Sequence, residues 1–100
     1  MRTMLKATME IESGNKAIID GSMQKIIQTA AEKLKPEAAY FYPENGVRTC
    51  MMIFDMKDTS EIPAIVEPFF LHLKAKVELI PVMNADDLQK GLESAMKERK

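Results

Sequence analysis

The chain opens on an alternation of period two. In MRTMLKATMEIE the odd positions Leu5, Ala7, Met9 and Ile11 are apolar, while the even ones include Arg2, Lys6, Thr8 and Glu10. That pattern predicts a strand with one buried face. Ser13, Gly14 and Asn15 break it, Asn15 offers a side-chain cap, and Ile19, Met23, Ile26, Ile27, Ala30 and Leu34 follow at helical spacing. The helix is expected to stop near Lys35, because Pro36 cannot continue it.

Residues 38–56, AAYFYPENGVRTCMMIFDM, read as two strands around Asn45-Gly46, a pair that tolerates the positive φ angles of a tight hairpin. A two-residue loop pairs Phe41 with Cys50 and Tyr40 with Met51, and a three-residue loop shifts this by one. In the first register Phe41, Cys50, Met52 and Phe54 share one face, and Tyr40, Tyr42, Thr49, Met51 and Ile53 share the other. Both faces are substantially apolar, which a sheet with one solvated side would not show.

Residues 57–60 connect to a second helix, with Ser60 as the expected N-cap and Pro63 at the third helical position. Ile62, Ile65, Val66, Phe69, Phe70 and Leu73 form its core stripe, Ala64, Pro68 and Leu71 lie opposite, and only Glu67 and His72 interrupt the apolar surround. Pro68 removes the hydrogen bond to the Ala64 carbonyl and is expected to kink the helix. Val77, Leu79, Pro81 and Met83 alternate as a fourth strand, and Asn84 and Asp87 cap a last helix with a narrow stripe of Leu88, Leu92, Ala95 and Met96. The tail KERK is polar and expected to fray.

The order strand, helix, strand, strand, helix, strand, helix predicts an α+β fold of ferredoxin-like, split βαβ type: a four-stranded antiparallel sheet with an added C-terminal helix, in one domain spanning 1–100. Pro43 and Pro81 fall in the second and fourth strands, the edges of such a sheet, where a missing donor does least harm. The segments PEAAYFYPENGVRT and SEIPAIVEPFF, set in this order of elements, resemble small uncharacterised bacterial members of the dimeric α+β barrel superfamily. The resemblance implies ferredoxin-like protomers paired sheet against sheet. Members of that group include cofactor-independent monooxygenases, muconolactone isomerase-like enzymes, haem-dependent proteins and ligand-sensing domains. The group shares geometry and no catalytic motif, so no residue inherits a role from it.

Composition narrows the function further. One hundred residues bury only about 60–65% of the unfolded chain's surface, so self-association would add useful burial. Fourteen basic and fifteen acidic residues leave a net charge of −1, which supplies no field toward phosphate backbones or anionic lipid. An RNA-recognition domain shares the strand order, but VRTCMMIF carries Cys and Met where stacking rings belong. No run reaches the ~18 apolar residues of a membrane span, and the single Cys50 fits a reducing compartment. The expectation is a cytoplasmic homodimer with no nucleic-acid or membrane partner. Nine methionines suit a malleable core or interface.

Few side chains carry chemistry. One His and one Cys give no zinc-ligand spacing, so no metal and no cofactor is expected. His72, in the last turn of its helix, reads as a base or as a cation favoured by the helix end. Cys50 in a strand reads first as a small buried hydrophobe. Glu67, if buried, would be a candidate acid or base. Tyr40, Tyr42 and Arg48 cluster on the hairpin and suit either an anionic or aromatic ligand or a dimer rim, and Asp55 could join them. The candidate ligand-binding residues are therefore Tyr40, Tyr42, Arg48, Glu67 and His72, placed where the second helix crosses the sheet. The function expected is a small-molecule-binding homodimer, in its enzymatic form a cofactor-independent monooxygenase- or isomerase-like protein. The alternative is a structural or regulatory interaction module with no pocket.

Overall fold

A computed structural model describes residues 1–99. Strands β1 (Arg2–Thr8), β2 (Ala38–Glu44), β3 (Val47–Asp55) and β4 (Lys76–Pro81) form one antiparallel sheet in the order β2-β3-β1-β4. Helices α1 (Ile11–Asp20), α2 (Ser22–Leu34) and α3 (Ile62–Leu73) cover one face of it, and α4 (Ala85–Glu98) follows β4. The edge strands are β2 and β4. Pro43 and Pro81 lie in them, as the sequence predicts, where one side of the strand has no ladder to interrupt.

The hairpin adopts the two-residue register. Asn45 and Gly46 both have positive φ, 53° and 78°, and Phe41 sits opposite Cys50 and Tyr40 opposite Met51. Cys50, Met52 and Phe54 are thereby aimed at the helices, level with Ala7, Leu5 and Thr3 of β1, and all six are buried. Ile65, Phe69 and Leu73 of α3 close over them with Ala17 of α1 and Met23 of α2. Met9, Met23, Met52 and Met56 all lie in this core.

Four expectations are corrected. The single helix expected before Pro36 is two helices. Glu10 caps the first, its carboxylate accepting from the Ser13 and Glu12 backbone N–H groups at 2.9 and 3.2 Å, so Ser13, Gly14 and Asn15 lie inside α1. These bonds, the Ser13 amide above all, hold the Glu10 carboxyl below the usual range. Ile11 therefore turns into helix and solvent instead of ending the strand. Gly21, at φ 83°, ends α1 and turns the chain into α2, which shifts the helical phase and leaves Ile19 88% exposed. The cap before α3 is Asp58, not Ser60: Asp58 and Glu61 form a reciprocal capping box around a 3-10 turn at Thr59–Glu61. Phe70, expected in the core stripe, is exposed. In the expected frayed tail, Lys97 and Glu98 continue α4, and Lys100 lies outside the described residues.

Helix α3 continues through Pro68, and α4 carries the expected box between Asn84 and Asp87. Arg2 ties α4 back to the sheet by donating to Asp87 at 2.6 Å and to Glu37 at 2.7 Å. Among the described residues, two further apolar surfaces stand apart from the core. One is the outer sheet face, where Ile80, Met4, Ile53 and Ala38 form a row and Tyr40 and Met51 lie beside it. The other is the stripe of Leu88, Leu92 and Met96 on α4, a helix with no buried residue. No helix among the described residues is long and apolar enough to cross a membrane.

Candidate ligand-binding groove

The break at Gly21 and the hairpin register together open a groove. Helix α2 leaves β2 partly uncovered, so Phe41 on that edge strand is 55% exposed although it points to the helix side. Between them lies a cavity of about 620 Å³, with Cys50 and Met9 at its base and Met23, Ile27 and Phe41 along its walls. Gln24, Gln28 and Arg48 supply polar atoms at the rim. Its volume is within the range of about 300–1,000 Å³ that small organic ligands occupy.

Arg48 is the charged group of this groove. Two residues before Cys50 on β3, it falls on the same sheet face by the period of two. Its strand is fixed by a bond from the Met9 N–H to the Arg48 carbonyl at 3.0 Å. The guanidinium is held from α1: Nη1 donates to Asn15 Oδ1 at 2.8 Å. A Cβ on the buried Gly14 would stand 3.3 Å from the same nitrogen, a tight contact that the guanidinium would have to relieve by a few tenths of an ångström. Arg2, Lys6 and Lys57 each pair with a carboxylate, whereas Arg48 makes no ion pair among the described residues.

Cys50 faces this site as an inert surface. Burial pushes its thiol up to about 11, so almost no thiolate forms near neutral pH. The groove thus offers shape, apolar contact and one cation, with no activated nucleophile at its base.

The sequence candidates separate into different places. Arg48 lines the groove. Tyr42 borders it only where β2 passes, because its side chain is on the opposite sheet face, where its hydroxyl donates to Glu44 at 3.5 Å. Tyr40 shares that opposite face, level with Met51. Glu67 is exposed and is not among the groove-lining residues. Ile65 and Phe69 are buried against the sheet, and Glu67, two residues after Ile65, is rotated about 200° from it, toward solvent. His72, also exposed, borders a smaller cleft of about 300 Å³ between α2 and α3 beside Lys25, Lys33 and Pro68. The expected meeting of Glu67 or His72 with the hairpin side chains does not form at this groove. Asp55 is at the far end of β3, where Lys57 at 2.6 Å, together with the terminal ammonium of Met1, holds its carboxyl down to about 2.

Met9, Met23, Ile27, Phe41 and Cys50 are the groove residues that sequence reasoning did not assign. The register itself carried a signal for two of them, since it places Arg48, Cys50 and Phe41 on one face. Neither a scan of protein-family models nor a search of curated proteins found a match to this chain.

Proposed function

We propose that the chain is an elaborated ferredoxin-like protomer of a cytoplasmic homodimer that binds a small organic ligand in the groove between α2 and the hairpin. The observation that carries this reading is the groove: an apolar cavity of ligand size, bounded by four elements, with a single cation positioned at its rim. The edge placement of β2 and β4 and the helical crossovers between β1 and β2 and between β3 and β4 support the ferredoxin-like reading. Its elaborations are the two-helix first crossover and α4. The outer sheet face supports pairing, because an apolar row across four strands gains from being covered by its own copy.

Within this reading the protein binds or senses its ligand and does not turn it over. Glu67 and His72, the acid–base candidates, lie outside the groove, and the Cys50 thiol stays protonated. A second reading, a non-enzymatic interaction module, draws support from the exposed stripe of α4.

Sedimentation across a dilution series, paired with native mass spectrometry of the purified protein, tests the proposal. The expected result is a dimer burying at least ~1,200 Å² and carrying a small molecule that is lost on denaturation. A dilution-independent monomer overturns the pairing. A dimer that neither carries nor takes up any small molecule leaves the interaction module as the function.

A further inference from the structure

We infer that the groove selects an anionic amphiphile, a medium-chain carboxylate whose head group pairs with Arg48 and whose apolar body lies along Met23, Ile27, Phe41 and Cys50. This inference rests on the ligand-binding reading above and names the chemical class of the ligand. Three observations carry it. First, the base and walls are hydrocarbon and sulfur, so the bulk of the ligand is apolar. Second, the one charged side chain lining the groove is a guanidinium, which presents donors in a fork that fits a carboxylate. It gives Nη1 to the neutral amide of Asn15 and pairs with no carboxylate among the described residues. Third, the guanidinium is closely packed from α1. Gly14 stands in that helix, where glycine is less favourable than alanine, and a Cβ there would be 3.3 Å from Arg48 Nη1.

The combination discriminates among ligand classes. A neutral amphiphile of equal length would fill the apolar base but leave the guanidinium without a counter-charge. A small inorganic anion could pair with Arg48 but would leave the groove unfilled. A cationic amphiphile would meet repulsion at the rim. Only an anion with an apolar body uses both parts of the site.

Decanoate, decanol and inorganic phosphate serve as probes below their aggregation or solubility limits. Binding is read by calorimetry and located by the methyl resonances of Met9 and Met23 at the groove, with Met83 and Met96 as distant controls. Decanoate is expected to bind about fivefold more tightly than decanol, in line with a charge-assisted pair at an exposed guanidinium, and to shift Met9 and Met23 alone. Arg48→Gln should bring decanoate down to the level of decanol while decanol is unchanged, and Arg48→Lys should restore part of the difference. Gly14→Ala should leave the melting temperature equal or higher yet weaken decanoate, a pairing of signs that a purely structural glycine would not give.

Equal binding of decanoate and decanol, both insensitive to Arg48→Gln, overturns the anion assignment and leaves the ligand-binding groove standing. Decanoate binding that shifts Met83 or Met96, or survives filling of the groove by Ile27→Trp, places the ligand elsewhere and overturns the inference. Failure of both organic probes to bind, with the fold intact by circular dichroism, overturns the inference and counts against a ligand groove. Binding of phosphate as tight as that of decanoate assigns Arg48 to a bare anion and overturns the amphiphile.

Discussion

Cys50 shows how one residue's environment sets its role. In a strand whose neighbours are unknown, a cysteine can be a nucleophile or a small hydrophobe. At the base of the groove it has no exposed surface, and desolvation moves its thiol to about 11. Its alkylation by iodoacetamide at pH 8 is therefore expected to run at least about two orders of magnitude slower than that of an unfolded control, from the lower thiolate fraction alone. Mass spectrometry of the modified fraction against time checks this. Rapid labelling of the folded protein would mean that the base of the groove opens to solvent and that the thiol is available for chemistry. For Arg48 what the fold decides is where the guanidinium sits, bonded through Nη1 to Asn15.

At the scale of elements, glycine decides two connections. Gly46 completes the hairpin turn at φ 78°, and Gly21 ends α1 at φ 83°. A Cβ at either position meets no neighbouring atom, so the cost of a substitution is conformational and not steric crowding. Gly46→Ala is expected to destabilise the chain by about 1–2 kcal/mol, the cost of holding a side chain in the left-handed region. Urea denaturation followed by far-UV circular dichroism measures it, with an unchanged m-value if the register survives. A substitution without cost would mean that the turn relaxes to another type. That would move Arg48, Cys50 and Phe41 relative to one another and should weaken the groove at the same time. The asymmetry of α3 is also settled at this scale. Ile65, Val66, Phe69 and Leu73 are buried, while Leu71 on its other side is 72% exposed. An apolar surround is thus only half used by the single chain.

The whole molecule has more apolar surface than one copy covers. On the outer sheet face Ile53 stands between Ala38 and Met4, with Ile80 beyond; the first three are half-buried and Ile80 is 39% exposed. Ile53→Lys should weaken the proposed dimer about a hundredfold or more, since a charge at the centre of a covered apolar surface is costly to desolvate. The same change should leave the protomer's circular dichroism unaltered, because the core on the helix side is untouched. Sedimentation equilibrium of the variant decides the matter. A dimer of unchanged strength would move the interface to α4, whose Leu92 is 53% exposed on a helix held to the sheet at its first turn by Arg2 and Asp87.

Local chemistry was enough to determine much of this chain. Period-two alternation marked β1, Asn45-Gly46 marked the hairpin but left two registers open, prolines 43 and 81 marked the edges, and Asn84 with Asp87 marked the start of α4. Each of these signals acts within a few residues of itself, through backbone dihedrals or capping bonds. The split of the first helix was legible too, in Asp20-Gly21-Ser22, a helix stop beside a helix start, but the run of isoleucines masked it. Tertiary structure alone decided the groove. Gly14 and Asn15 are more than thirty positions from Arg48, and their meeting depends on how α1 lies against β3. Periodicity says which face of an element is apolar, but not which neighbour fills it or where that neighbour falls short. That is why Glu67 and His72 looked like the polar points of a site while the side chain placed at one was Arg48.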